Sequence, residues 1–413
     1  MAKTSCQIVL PTKPEIYEIL IGDAQAYRAW VDNMMVGYPE LFPTEIRAGY
    51  TLHDIRGSKK MAAIQVRRIQ AKQTDANGKQ PTYTVWPSYA LPYMMGYTDA
   101  VADALFLSSF GVPCWALTRV FGHSEMYWQR LFERLGRYDL VGTTVKQEQK
   151  MPNHLVADEK HTRLCGETVY IATTVGKDCV LGVSVSLKAD AEHLQEAYGH
   201  FKNEARRLAP DYQPETVTLD GWAPTWMAWA LLFPGIAIVL CFLHAFLNIR
   251  KCARRLPLFA ELKTMVWTVY RAETLTEFCE EMGTLYLWAS AHLNGTAWEA
   301  VRKLCAKTGE FLEAFEHPLA PRTSNTVDRH MDQLARWLDG MRMFHGHLMS
   351  AEFQVRAWAL IHNFRPYCPR ADIRKEFFSP FHRLNDFVYH DNWLQNLLVS
   401  TSGQCTYVNH KIR

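Results

Sequence analysis

The chain has 413 residues, 48% of them apolar, and a net charge of +3. That is ample material for two or three packed domains but too little positive charge for a nucleic-acid coat protein, so any nucleic-acid contact must come from local patches. Ten cysteines occur with no CxxC pair, and the leading MAKTSCQIVLPTK turns polar too soon for a secretory leader, so the cysteines read as reduced thiols in a cytoplasm.

The first marked feature is IRGSKKMAAIQVRRIQAKQ (55–73), which gathers Arg56, Lys59, Lys60, Arg67, Arg68 and Lys72. Charge so clustered suits phosphate contacts, with Lys59, Lys60, Arg67 and Arg68 the foremost candidates; a solvated face would look the same. A turn-rich TDANGKQPT separates it from TVWPSYALPYMMGY, whose aromatics are expected to pack locally. Residues 98–137 then read as helix, Gly111-Val112-Pro113 turn, short helix, Gly122-His123 turn, helix. This is a helix-turn-helix layout with Ser124 as the last cap and Gln129, Arg130 and Arg134 on the polar side, placed to meet bases and phosphates; a generic three-helix packing unit would read the same.

HLVADEKH (154–161) and TVTLDGW (216–222) share one form, a short β-favouring apolar run ending in an acid, which delivers Asp158 and Asp220 to exposed strand ends. Between them VYIATTV (169–175) and CVLGVSVSL (179–187) form a hairpin around Gly176-Lys177-Asp178, and 189–209 has helical periodicity up to Pro210. After Asp220 come a helix to Phe233, a Pro234-Gly235 break, a strand at 236–240 and another helix. A meander of three strands followed by alternating helices and strands is the ribonuclease H-like order, an α/β mixed sheet with flanking helices. WMAWALLFPGIAIVLCFLHAFL (226–247) is long and apolar, but its Pro-Gly break, β-branched run and His244 favour a helix-turn-strand-helix over a membrane span.

Asp220 follows Asp158 by 62 residues, and Asp328 follows Asp220 by 108. The long second gap holds an all-helical insertion, about 250–317, before RTSNTVDRHM (322–331) opens a final helix with Asn325 just ahead of it and Asp328 in its first turn. Three carboxylates suit phosphodiester chemistry that uses two divalent ions roughly 4 Å apart, one acid bridging both. Hard oxygen ligands point to Mg²⁺ or Mn²⁺, with Asp158 as the bridge and Asp220 and Asp328 on one ion each. Glu352, on the next helical stretch, is the runner-up for the third ligand. Cys241 and His244 have ligand-like spacing but no second pair with zinc spacing, and read as core-facing helix residues. His161, His244, Asn325 and Arg329 are the candidate supports around the acids.

DGW followed by AWALLFP and CFLH resembles the D…A…FP…C..H block of bacterial insertion-sequence and Mutator-like transposases, and TSNTVDR resembles their TxN..[E/D] block. The resemblance covers about Asn153 to Arg365. It implies a ribonuclease H-like core with a DD(E/D) triad that binds the ends of its own element, cleaves there, and transfers the strand in line. Double-stranded DNA as partner, a homodimer or higher assembly on DNA, and a place on a prokaryotic nucleoid rather than at a membrane follow from it. One departure is that the last acid is Asp328 where most such enzymes have glutamate. The expected division is 1–80 with the basic patch, 81–148 helix-turn-helix, 149–249 first part of the core, 250–317 insertion, 318–368 final core helices and 369–413 C-terminal segment. A stand-alone structure-specific nuclease and a non-catalytic DNA-binding protein are the alternatives.

Overall fold

In the computed structural model, which describes residues 6–58, 61, 64–74 and 78–404, the chain forms two mixed sheets and many helices. The first sheet begins with β1 (Gln7–Leu10), which is followed by α1 (Pro14–Gly22), α2 (Ala24–Gly37) and α3 (Thr44–Arg47). Strands β2 (Tyr50–Gly57), β3 (Gln65–Ala71) and β4 (Thr82–Pro87) then form an antiparallel run, and β4 closes parallel to β1, giving the order β1-β4-β3-β2. The expected boundary at 80/81 therefore differs from the structure. β4 comes from the stretch read as local aromatic packing, yet it hydrogen-bonds into the N-terminal sheet.

Three helices follow where the sequence places them: α4 (Thr98–Ser108), α5 (Cys114–Phe121) and α6 (Glu125–Leu135), with the Ser124 hydroxyl accepting from Tyr127 N. A short α7 (Leu140–Thr144) leads into the second sheet. There β5 (His154–Leu164), β6 (Glu167–Gly176) and β7 (Cys179–Ser186) make an antiparallel meander. Lys177 and Asp178 both take positive φ, the conformation a two-residue hairpin turn demands. After α8 (Ala191–Leu208) come β8 (Thr216–Leu219), α9 (Ala223–Leu232), β9 (Ala237–Leu240) and α10 (Phe242–Ala253). The sheet order is β7-β6-β5-β8-β9, with β8 and β9 parallel to β5.

The insertion is all helical: α11 (Phe259–Arg271), α12 (Leu275–His292), α13 (Gly295–Ala306), α14 (Thr308–Phe311) and α15 (Glu313–Glu316), packed with α10 around their own apolar cluster. The chain then returns as α16 (Asn325–Gly340) and α17 (Leu348–Phe364), and ends in α18 (Pro380–Asn385) and α19 (Trp393–Ser400). Among the described residues no helix is long and apolar enough to cross a membrane, and residues 226–247 resolve into α9, β9 and the start of α10.

Strand alternation splits the second sheet between two cores. Leu155, Ala157, Ala172 and Leu181 pack with α8 and α9, while Val156, Ile171, Val180 and Val183 pack with α16 and α17. The second of these cores also takes in the first sheet, α4–α6 and α19, so residues expected to form separate N- and C-terminal segments share one interior with the central sheet. Val9 N donates to Ser402 Oγ at 2.9 Å, and Gly403 N to Gln7 O at 2.9 Å, which docks the C-terminal segment on β1. Eight described cysteines are free, but Cys6 is disulfide-bonded, which corrects the reading of all ten as thiols.

One buried pair gives the fold a pH dependence. His330 is 7% exposed, neither ring nitrogen has a hydrogen-bond partner, and it stands edge-on to His362 at 4.5 Å. Burial, with Arg329 and Arg365 nearby, holds its pKa down at about 3. An unfolded histidine titrates near 6.5, so below that pH the unfolded chain takes up a proton that folded His330 refuses, and stability falls as pH drops from about 6.5 towards about 3. His330→Phe is expected to remove about 2 kcal/mol of the stability lost between pH 7 and pH 5. The measurement is the urea midpoint at the two pH values, and an unchanged difference in the variant would contradict the assignment.

Candidate metal centre

Three adjacent parallel strands deliver the site from one end. β5 pairs with β8 up to Val156 and Thr218, and β8 pairs with β9 up to Leu219 and Leu240. Extending the first register by two residues sets Asp158 alongside Asp220, just past the last paired position. β5 itself runs on to Leu164 against β6, so Asp158 lies within a strand, half-buried, where a fully presented strand end was expected. Its Oδ1 accepts Glu159 N at 2.8 Å.

Asp220 sits in a tight turn. Its Oδ1 accepts Trp222 N at 2.8 Å, and Gly221 takes φ +86° with no room for a Cβ, which would meet Leu240 Cδ1 at 2.5 Å. The glycine of DGW is thus required by backbone conformation, and a Cβ there would also have to displace the Leu240 side chain.

Cys241 is the cap residue between β9 and α10, which puts His244 in the first turn of α10 beside the same strand ends. The segment entering α16 is stitched across them: Thr218 Oγ1 donates to Pro321 O at 2.6 Å, Phe242 N to Arg322 O at 3.2 Å, and Ser324 N to Cys241 Sγ at 3.1 Å. The Ser324 hydroxyl then donates to Asp328 Oδ2 at 2.9 Å. As a result one donor atom each from Asp158, His244 and Asp328 lies within 4.8 Å of the other two. Asp220 is outside this tight group but raises the Asp158 pKa through its charge.

The electrostatics follow from crowding like charges. The Asp158 pKa is pushed up to about 6, first by burial and then by Asp220 and Asp328, with the backbone hydrogen bond and His244 acting the other way. His244 is raised to about 9, chiefly by its hydrogen bond to Cys241 and also by Asp328 and Asp158, against burial. Two carboxylates and an imidazole nitrogen form a donor set that fits a hard or borderline divalent ion such as Mg²⁺ or Mn²⁺. Such an ion competes with the protons these groups hold.

The remaining sequence candidates fall elsewhere. Glu352 is buried on α17, accepting Val185 N at 2.7 Å and Ser184 Oγ at 3.2 Å and lying 3.7 Å from His200. It satisfies the free backbone edge of β7 and does not reach the acids. His161 is three positions beyond Asp158 and so on the opposite face of the strand, edge-on to its cross-strand partner Tyr170 at 4.7 Å. Asn325 and Arg329, on either side of the Asp328 turn, are exposed.

On α6, Gln129 donates to Glu133 at 3.1 Å, and Glu133 accepts from Ser350 and Gln354 of α17. Arg134 is held over the Tyr93 ring at 5.2 Å. The polar side expected to face DNA is a seam between helices, and of these residues only Arg130 and the cap Ser124 are exposed.

In the basic stretch, Arg67 is buried, donating to Ile21 O at 3.0 Å and lying over Tyr27, while Arg68 and Arg56 both pair with Asp54. Lys59 and Lys60 lie outside the described residues.

Two residues were not anticipated. Glu159 faces the α8–α9 side, accepting Tyr198 Oη at 2.7 Å and Thr225 Oγ1 at 2.6 Å, and burial pushes its pKa up to about 7. Strand alternation after Asp158 was the available signal. Cys241 was read as core, yet its sulfur anchors both Ser324 and His244. A scan against protein-family models finds no family that matches this chain, and a search of curated proteins finds no matching relative.

Proposed function

We propose that this chain is a DNA transposase that binds the ends of its own element, cleaves a strand there and joins the exposed 3′ end to target DNA. The observation that carries the reading is the convergence of Asp158, His244 and Asp328, from three chain segments, at the end of parallel strands where Asp220 also lies. Ligand sites of open α/β sheets characteristically occupy the carboxyl ends of strands. The strand order, the helical insertion after β9 and the last acid on the helix that follows it support a ribonuclease H-like core.

Bound divalent ions would supply positive charge to the attacking and leaving oxygens of an in-line displacement. Asp158, Asp328 and His244 would hold an ion, and Asp220 beside Asp158 would offer ligands for another. The chain's own groups do the positioning. The Asp220 turn fixes one carboxylate, the Ser324 hydroxyl fixes Asp328, and Cys241 holds His244 towards the acids. Exposed Arg130 on α6 and Arg329 beside Asp328 are the contacts we assign to DNA phosphates. Two element ends meeting at one target imply at least two copies of the chain on DNA.

The test is incubation of the purified chain with Mn²⁺ or Mg²⁺ and linear DNA carrying the flanks of its own gene. Nicks mapped to the element ends, and joining of a pre-cut 3′ end to plasmid, are the expected results. No metal-dependent nick would overturn the reading, and nicking without joining would reduce it to a nuclease.

A further inference from the structure

A second feature begins one residue beyond the last acid of the site. Along α16, Arg329, Gln333 and Arg336 recur at helical spacing on the side away from the core, and they form one wall of a cavity of about 880 Å³. The opposite wall is built by the end of α17, the loop after it and α18, which bring Arg365, Arg374 and Arg383 to the same groove. Only one of these five arginines has a carboxylate partner among the described residues, the pair Arg383–Asp178.

Arg365 is the strongest anomaly. It is 6% exposed, and its guanidinium is spent on Ser109 Oγ at 2.8 Å, on Gln333 and on His362 Nδ1 at 3.2 Å, with no acid. A buried cation without a counter-charge is costly unless something else supplies the negative charge. The whole chain carries a net charge of only +3, yet four uncompensated arginines line this one groove. Two further groups are turned to it without partners: both ring nitrogens of buried His330, and Tyr367 Oη.

We infer that this groove holds a segment of single-stranded DNA, its phosphates on Arg329, Arg336 and Arg374 and its bases against the aromatic walls. Arginines interleaved with aromatic rings are what a sequence-tolerant single-strand channel needs, because charge tracks the backbone and flat rings accept any base. Here Arg365 already lies over Phe110 at 4.2 Å and Arg374 over Phe378 at 4.3 Å, so the walls alternate cation and ring. Arg329 and Arg336 are seven residues apart, about 10 Å along the helix axis. One wall of the groove therefore starts at the residue next to Asp328, and we place along it the strand that leaves the acids. A rigid duplex gains little from a channel lined by rings on two sides. The inference takes DNA as the substrate from the proposed function, but its test requires no cleavage.

The experiment is fluorescence anisotropy of a labelled oligothymidylate with the full chain in EDTA, across a salt series. Arg336→Gln/Arg374→Gln removes two cations that are exposed or half-exposed and carry no ion pair among the described residues, so the fold is expected to survive; unchanged circular dichroism checks this. Single-strand affinity is expected to fall about tenfold or more, and the slope of log affinity on log salt to shrink by about 1.4, roughly 0.7 per lost contact on a single strand. Arg336→Lys/Arg374→Lys is expected to keep most of the binding. Unchanged affinity in the Gln variant would overturn the inference. So would an equal loss for duplex and single strand, or complete displacement by inorganic tripolyphosphate, which would assign the groove to a small anion. Asp158→Asn is expected to bind the oligonucleotide as the unaltered chain does, so loss of nicking with retained binding separates failure at the acids from failure of the groove.

Discussion

Asp158→Asn is expected to reduce metal-dependent nicking by about a thousandfold, the scale on which one electrostatic contact to a transition state counts, while making the protein more stable. The two effects have one cause. The folded Asp158 carboxyl holds its proton up to about pH 6, against 3.8 for the free group, because burial and the charges of Asp220 and Asp328 disfavour its ionised form. Folding therefore takes up a proton between these values, and the penalty for charging Asp158 grows as pH rises through that window, reaching its full size above pH 6. Asparagine removes the charge with little change in shape, so at pH 8 the variant is expected to gain on the order of 1–3 kcal/mol. Mn²⁺ should reverse the ranking. At a hundred times its dissociation constant it contributes about 2.7 kcal/mol to the unaltered chain and much less to the variant, which has lost a ligand. Thermal melts at pH 8 with and without MnCl₂ check this. A variant less stable than the parent without metal, or equally stabilised by it, would remove Asp158 from the cluster.

What the sequence made legible was local. The β-runs before Asp158 and Asp220, the hairpin at Lys177-Asp178, the periodicity of α8 and the all-helical insertion are set by residues within a few positions of one another, and each forms where it was expected. What stayed hidden depends on distant partners. β4 looked like a cluster of aromatics because its hydrogen-bonding neighbours, β1 and β3, are not apparent from spacing. Arg67 looked like a phosphate contact because nothing in its own strand shows Tyr27 and the Ile21 carbonyl waiting for it. The choice between Asp328 and Glu352 was open because both sit on helices after the insertion. Only the packing of α17 along β7, whose outward N–H at Val185 needs an acceptor, assigns Glu352 to the sheet edge. Cys241 and Ser324 are 83 residues apart, and neither signals the other.

The same edge supplies the second large effect, in which Arg356→Ala is expected to lower stability by roughly 3–5 kcal/mol. α8 and α17 pack on opposite faces of the second sheet and meet around β7, where Glu204 of α8 is buried and Arg356 of α17 is largely so. Glu204 Oε2 accepts Leu140 N at 2.7 Å and Val141 N at 3.1 Å, and its Oε1 accepts Arg356 Nη2 at 2.6 Å. Arg356 also donates to Gly136 O at 3.1 Å and Tyr138 O at 2.8 Å, so one ion pair ties together α7, α8, α17 and the end of α6. Burial works to raise the Glu204 pKa, but Arg356 and the N–H donors outweigh it and hold the carboxyl ionised below its usual range. Removing Arg356 leaves that charge with only the longer Arg207 contact at 3.8 Å and frees two carbonyls, whereas Glu204→Leu/Arg356→Met removes both charges of the close pair and is expected to recover most of the loss. The readout is a double-mutant cycle on melting temperature, with Arg356→Ala lower by roughly 5 °C. If it melts within about 2 °C of the parent, or if the double variant is worse than either single change, the pair is not what joins the two faces of the sheet.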